Sequence, residues 1–238
     1  MQALMGSGRG AMGAGPRRWL AAAMVALACM SAPADAGLLD RHAVVLNGDR
    51  IGSAFALDDG LAVTNRHVVQ GLRPGDAVAL SGSGPGRPAA TARLLAVSPR
   101  MDLAVLAMPQ GFLPAGFGDA PSRFGDAVAA AGVDASGDAE TGERLVADGV
   151  VLDPELDLAA FGPGLVVRLP GARPGFSGGP LVDVRGRLVG MVTALRPARG
   201  GALPSAGGTA DPAPAGVEAF ALRAGALRSE VRRLLAGD

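Results

Sequence analysis

The chain has 238 residues with 22 basic and 22 acidic side chains, every basic one arginine, and it carries two histidines, one cysteine and one tryptophan. One cysteine excludes an internal disulfide, the His and Cys count is too small for a Cys/His zinc site, and the balanced charge gives no electrostatic footprint for nucleic acid. With 49% apolar residues a folded core is within reach, and the length suits one large domain or two small ones.

Residues 1–36 read as an export signal. Arg9, Arg17 and Arg18 precede an apolar run from Trp19 to Met30, followed by Ser31-Ala32-Pro33-Ala34-Asp35-Ala36, with cleavage expected after Ala36. The run spans 12 residues, short of the roughly 20 that cross a bilayer as a helix. An uncleaved anchor, a lipoprotein at Cys29, twin-arginine export through Arg17-Arg18 and a start at Met12 are the competing readings. After cleavage the domain at 37–238 holds 19 Arg against 21 acidic residues, a net charge of −2, and neither Trp nor Cys. No stable membrane anchor is then expected, and about 200 residues suffice for stability on a core alone.

Short apolar runs separated by Gly, Pro and Asp predict twelve strands, near 43–46, 51–57, 61–65, 77–80, 91–97, 103–108, 127–131, 143–151, 165–169, 180–184, 187–195 and 217–222. Asp59-Gly60 and Arg185-Gly186 are hairpin signals. Strands without alternating helices predict antiparallel barrels or a sandwich. Leu227, Val231, Leu234 and Leu235 follow helical spacing, with Arg232 and Arg233 in the last turn where the helix dipole favours cations. Stretches 81–90, 133–144 and 196–216 are too poor in large apolar residues to be core, and 196–216 reads as a flexible loop between two strands.

Three segments carry chemistry. Val63-Thr64-Asn65-Arg66-His67-Val68-Val69 delivers a histidine at the end of a strand. Met101-Asp102-Leu103-Ala104-Val105-Leu106 puts a carboxylate at the lip of an apolar strand, where burial demands a strong partner. Pro174-Gly175-Phe176-Ser177-Gly178-Gly179-Pro180-Leu181 flanks a serine with glycines that permit tight turning and close backbone approach. Singly each has an ordinary structural reading; jointly, 35 and 75 residues apart in the order His, Asp, Ser, they do not. Gly175 to Gly179 also satisfies the G-x-S-x-G elbow of α/β-hydrolases, but that fold places its histidine after the serine, and both His42 and His67 precede Ser177. The order found is that of two-barrel serine proteases.

On these segments, together with Gly52-Ser53-Ala54-Phe55, Gly186-Arg187-Leu188-Val189-Gly190-Met191-Val192-Thr193-Ala194 and Phe220-Ala221-Leu222, the chain resembles trypsin-like serine proteases of the HtrA/Deg type from about residue 43 onward. The resemblance implies an all-β fold: two six-stranded antiparallel, chymotrypsin-like barrels, at about 43–110 and 111–222, and a C-terminal helix at about 223–236, with no PDZ domain expected after it. It implies that His67 is the general base, Asp102 its orienting carboxylate, Ser177 the nucleophile that forms an acyl-enzyme, and the N–H groups of Gly175 and Ser177 the oxyanion hole. Met191, Val192 and Thr193 would line the primary specificity pocket and pair with the substrate backbone. Gly171 stands where a charged pocket base would lie, so a small or medium apolar residue is expected before the scissile bond. Phe176 stands where this family has Asn and digestive proteases have Asp, so activation by a new N-terminal ammonium is not expected.

The implied function is an exported serine endopeptidase acting on polypeptides without cofactor or metal, periplasmic in a Gram-negative cell and otherwise secreted, with a part in envelope protein quality control. The alternative is a catalytically silent protease-like domain that binds extended peptides or protein partners. Segment 196–216, which follows the pocket strand, is expected to gate substrate access or to bias a switch between inactive and active arrangements, a passive surface insertion being the other reading. Because Trp19 lies in the signal, the mature protein is expected to show no tryptophan emission on excitation near 295 nm; emission from protein recovered outside the cytoplasm would mean that the signal is retained.

Overall fold

The computed structural model describes residues 37–82, 89–114, 116–136, 142–198 and 216–237. The expected export signal at 1–36 and the centre of the expected gating loop, 199–215, lie outside the described residues, as do 83–88, 115, 137–141 and 238.

Among the described residues there are twelve strands, as expected, and they close into two barrels. The first contains β1 (His42–Asn47), β2 (Arg50–Asp58), β3 (Leu61–Thr64), β4 (Ala77–Gly82), β5 (Ala89–Val97) and β6 (Ala104–Ala107) in the order β1-β2-β3-β6-β5-β4. The second contains β7 (Ala127–Val133), β8 (Arg144–Leu158), β9 (Gly162–Arg168), β10 (Pro180–Asp183), β11 (Leu188–Pro197) and β12 (Val217–Arg223) in the order β7-β8-β9-β12-β11-β10. The two orders are the same pattern used twice, and every pairing between strands is antiparallel. The hairpins turn where expected, with Gly60 at φ 73° and Gly186 at φ 72°.

The alternation of small and large apolar residues explains why two barrels pack side by side. Along β2, Ala54 and Ala56 fill the first barrel while Phe55 and Leu57 face the seam. Along β12, Ala219 and Ala221 fill the second barrel while Phe220 and Leu222 face the seam. Period-two geometry sends neighbouring side chains to opposite faces. On these two strands the inward positions take alanine, and the positions between the barrels take Phe and Leu. The linker joins this seam through Phe117, whose ring meets Phe55 edge-on with centroids 5.7 Å apart and lies under the Arg41 guanidinium at 4.9 Å.

The helix α1 (Ala224–Ala236) buries Leu227 and Val231 in the seam, and its chain turns off through Gly237 in the left-handed region at φ 82°. Leu234 is half-buried and Leu235 is 46% exposed, so the apolar stripe is narrower than the sequence spacing implied. Of the two arginines expected in the last turn, Arg233 is there, held to Glu230 at 2.7 Å. Arg228 ties the helix to Asp119 at 2.7 Å and to the Phe117 carbonyl at 2.6 Å.

The strand limits differ from the sequence reading at several ends, most of all at β8. β8 continues from 151 to Leu158 through Pro154, with register shifts against β9 around that proline. A proline cannot donate to the ladder, and bulges accommodate it. Residues 196 and 197 belong to β11 rather than to a loop, because Arg196 and Pro197 pair with Glu218 and Val217. Similarly Val133, assigned to a non-core stretch, is a fully buried strand residue.

One polar residue sits deep in this apolar frame. His42 is wholly buried, and burial, assisted by the nearby Arg144 guanidinium, lowers its pKa from 6.5 to about 3. The folded protein therefore holds a neutral imidazole that the unfolded chain protonates below pH 6.5. The unfolded state binds more protons in that window, so stability is full above it and falls as the pH drops towards 3. The expected slope from this one group is about 1.4 kcal/mol per pH unit. Urea unfolding of wild type and His42→Gln across pH 4–7 should show that component in the wild type and its absence in the variant.

Candidate active site

β3 ends at Thr64, and the turn that follows presents Asn65, Arg66 and His67. Asp102 lies in the short connection between β5 and β6, and Ser177 in the connection between β9 and β10. Asp102 is 3% exposed and accepts two hydrogen bonds from one residue: His67 Nδ1 lies 2.6 Å from Oδ2, and the His67 backbone N–H donates to Oδ1 at 3.0 Å. A carboxylate oxygen opposite Nδ1 fixes the proton on that nitrogen, which leaves Nε2 of a neutral ring as the basic atom. The backbone of Asp102 is held from both sides of the seam. Its N–H donates to the Phe161 carbonyl of the second barrel at 2.9 Å, and its carbonyl accepts from Asn65 Nδ2 at 2.7 Å.

Asn65 is the residue that joins the two barrels here. It is fully buried, and the same Nδ2 also reaches Thr193 Oγ1 at 3.1 Å. Thr193 in turn accepts the Ser177 hydroxyl on its carbonyl at 3.1 Å. One unbroken hydrogen-bonded path therefore runs Ser177–Thr193–Asn65–Asp102–His67. The sequence reading quoted Asn65 only as part of its segment and missed this function. The signal was a carboxamide directly after a β-branched strand end, two residues ahead of the histidine.

The loop 174–178 is anchored at nearly every backbone group. Pro174 C=O accepts from Ala135 N–H at 2.8 Å, Gly175 C=O from Ser53 Oγ at 2.7 Å, Phe176 C=O from Gly179 N–H at 2.9 Å, and Ser177 C=O from Ser53 N–H at 2.8 Å. Phe176 N–H donates to Arg173 C=O at 3.1 Å and Gly178 N–H to Val192 C=O at 2.8 Å. Only the N–H groups of Gly175 and Ser177 are without an acceptor among the described residues. In a trans peptide the N–H points opposite its carbonyl, so anchoring Pro174 and Phe176 C=O aims both free donors away from those anchors. Glycine is required at two of these positions: Gly175 (φ 104°) brings its α-carbon so near Val133 that a Cβ would sit 2.3 Å from that carbonyl, and Gly178 (φ 89°) so near Ser53 that one would sit 2.0 Å from its carbonyl.

Phe176 itself is fully buried, packed into the second-barrel core with Ala172, Leu181 and Val192. The cavity for its ring exists because residue 132 is glycine; a Cβ there would lie 2.3 Å from Phe176 Cγ. The loop is thus fastened by an apolar side chain where the resemblance led one to look for Asn or Asp.

The residues expected to shape a specificity pocket fall into two groups. Met191 is in the seam cluster and Val192 in the second-barrel core, both with no exposed surface. Thr193 is 1% exposed and spends its hydroxyl on Asn65 and on the Met191 carbonyl at 3.2 Å. Gly171 is half-exposed and packs against Ala147, where a Cβ would come within 3.3 Å of the alanine methyl. Among the described residues there is no group of three or more His, Cys, Asp and Glu side chains arranged to hold a metal ion, and no helix long and apolar enough to cross a membrane.

Residues 52–191 match the family model for the trypsin-like peptidase domain. No curated protein matches the chain by sequence. Among solved structures, the chain is similar to the active form of the Rv3671c protease of M. tuberculosis at 21% identity and TM-score 0.65, covering 87% of this chain and 86% of that one. It is similar to the inactive form of Rv3671c at 21% identity and TM-score 0.64, covering 87% and 95%. The serine endoprotease of Yersinia pestis matches at 20% identity and TM-score 0.62, covering 85% of this chain and 65% of that one. At these identities the likeness is one of fold.

Phe176→Ala is expected to cost about 3–5 kcal/mol in urea unfolding, the penalty for emptying a ring-sized site in a packed core. Phe176→Asp should cost more, because the carboxylate would be buried without a partner. A change below about 1 kcal/mol for the alanine variant would mean that the ring is not an anchor.

Proposed function

Because the chain belongs to the trypsin-like peptidase domain family of serine endopeptidases, we propose that His67, Asp102 and Ser177 are its catalytic triad and polypeptides outside the cytoplasm its substrates. The observation that carries this reading is the continuous hydrogen-bonded path from Ser177 through Thr193 and Asn65 to Asp102 and His67. Such a path gives the three side chains one shared frame although they come from two barrels.

In this reading the Ser177 hydroxyl leaves the Thr193 carbonyl by rotation about χ1 and turns to His67. Nε2 of His67 takes its proton as Oγ attacks the scissile carbonyl. Asp102 keeps Nδ1 protonated and stabilises the imidazolium that forms. The carbonyl oxygen becomes an oxyanion facing the unoccupied N–H groups of Gly175 and Ser177, each such donor being worth about 3–4 kcal/mol in the transition state. The imidazolium then protonates the leaving amine, an acyl-enzyme remains on Ser177, and water activated by the same base releases it.

The substrate backbone would lie along the strand that ends in Thr193 as an added strand. With Met191 and Val192 directed into the cores, backbone rather than side chains would form that wall of the pocket. Gly171 at its base removes any charged selector, so a small or medium apolar residue is the preferred one before the cut. The signal-like segment 1–36 supports action in the periplasm or outside the cell, where clearance of misfolded envelope proteins is the role we assign.

The rival is a silent peptide-binding domain, and the resting hydrogen bond from Ser177 to Thr193 rather than to His67 is the observation in its favour. A fluorophosphonate probe separates the two. We expect labelling of wild type and none of Ser177→Ala, with turnover of an unfolded protein substrate falling about 10⁶-fold on loss of Ser177 or His67. Folded wild type that takes no label would leave the binding domain as the function.

A further inference from the structure

Two polar residues interrupt the face that the first barrel turns to the second. On β1 and β2 the alternation sends Ala43, Val45, Ala54 and Ala56 into the first barrel. His42 and Ser53 lie on the opposite face with Phe55 and Leu57, and both are 0% exposed. The pairing sets His42 opposite Phe55 and Ser53 opposite Val44, so His42 and Ser53 are diagonal neighbours, within reach of a long side chain. Their contact is close: His42 Nε2 lies 2.8 Å from Ser53 Oγ. Ser53 Oγ lies 2.7 Å from the Gly175 carbonyl.

The direction of these bonds follows from what each atom can do. A carbonyl only accepts, so the hydroxyl of Ser53 donates to Gly175 C=O. Its lone pair is then the acceptor for His42, which must carry its proton on Nε2. Ser53 acts a second time through its backbone, since its N–H holds the Ser177 carbonyl at 2.8 Å. One residue of the first barrel thereby grips the carbonyls on both sides of Phe176, on the second barrel. Its own carbonyl is occupied by Thr64 Oγ1 at 2.7 Å, which fixes the gripping residue in turn.

We propose that His42 and Ser53 are positioning residues that hold the Gly175–Phe176 peptide and the Ser177 carbonyl, and through the α-carbons between them keep the Gly175 and Ser177 N–H groups of the adjoining peptides where an oxyanion forms. This rests on the protease reading given above and deepens it. The relay touches neither substrate nor the reacting atoms; it acts through the backbone of the loop. A buried pair of polar groups in an apolar seam is expensive unless it is hydrogen-bonded, and here His42 Nε2 and the Ser53 hydroxyl are both engaged in the relay that ends on the loop. The imidazole of His42 is thereby given a use that differs from that of His67.

The test is Ser53→Ala, which deletes the hydroxyl at little change of shape, alongside His42→Leu and His42→Gln, whose amide can donate from nearly the same place as Nε2–H. Two readouts are needed. The first is kcat and KM on a peptide substrate, with affinity for a peptide aldehyde that forms a tetrahedral adduct on Ser177. For Ser53→Ala and His42→Leu we expect kcat and aldehyde affinity to fall about tenfold to a hundredfold with KM nearly constant, and His42→Gln to recover most of that loss. A purely structural role would lower thermal stability without this split. The second readout is amide hydrogen exchange of Phe176, which should quicken in Ser53→Ala and His42→Leu relative to amides of the second-barrel core. Unchanged Phe176 exchange in folded Ser53→Ala overturns the relay whatever the activity. Quickened exchange together with kcat within about twofold of wild type overturns its part in catalysis. If wild type neither cleaves peptides nor takes fluorophosphonate, the protease reading fails by that result, and the exchange measurement alone decides whether the relay holds the loop.

Discussion

The arrangement of the candidate site turns on one amide. Asn65 Nδ2 donates at once to the Asp102 carbonyl at 2.7 Å and to Thr193 Oγ1 at 3.1 Å. The first contact lies within the first barrel, the second crosses to the other. Its orientation is settled by chemistry, since the Asp102 carbonyl accepts only and the amide nitrogen must face it. The cost is visible in Asn65 Oδ1, a buried acceptor with no partner among the described residues. Leaving such an atom unpaired is unfavourable by about 1–3 kcal/mol. The apolar seam supplies the surplus: Phe55, Leu57, Met191, Phe220 and Leu222 press the barrels together and oblige Asn65 and Thr193 to meet. Packing brings the two halves within hydrogen-bonding range, and the amide fixes their register.

Asp102 is also secured from behind. Ser98 Oγ donates to Glu230 Oε1 of the C-terminal helix at 2.5 Å and accepts from the Arg100 and Met101 N–H groups at 3.0 and 3.1 Å. Hydrogen bonding from Arg233 first, and then from Ser98 against the opposing effect of burial, lowers the Glu230 pKa. The helix therefore does more than cover the seam with Leu227 and Val231. It holds the turn that carries the carboxylate, which gives the last element of the chain a direct connection to the site some 130 residues earlier (Ser98 and Glu230 are 132 apart).

The repeated barrel architecture was legible because its signals are local. Twelve apolar runs, two Gly hairpins and a helical stripe can each be read within a window of a dozen residues, and the His, Asp and Ser segments are short and dense. What stayed hidden depended on distant partners. β8 runs on past Pro154 because its own extra, bulged residues let it keep pairing with β9. Arg196 and Pro197 looked like loop until Glu218 and Val217 supplied the opposite strand. Met191 reads as a pocket residue by its place beside Thr193, and only the packing reveals that its side chain belongs to the seam. Asn65 just after a strand and Ser53 within one are small polar residues, a description that fits many capping or solvent-facing positions. Their bonds reach 128 and 122 positions along the chain, and no local pattern encodes that.

Phe176 shows how a departure from a family pattern can leave the geometry intact. A charged or amide side chain at this place would need a polar partner to be buried, whereas a phenyl ring needs only volume. Gly132 supplies the volume, and the second-barrel core supplies the contacts. The fastening then carries no titratable group and asks nothing of a newly cut terminus. Loop order becomes a property of core packing, present as soon as the barrel has folded. The polar work left over, aiming the Gly175 peptide, falls to Ser53 and His42 across the seam. Burial separates the settings of the two histidines: His42, wholly enclosed, stays neutral with Nε2 on Ser53 Oγ, while His67 has its side chain 46% exposed and Nδ1 on Asp102.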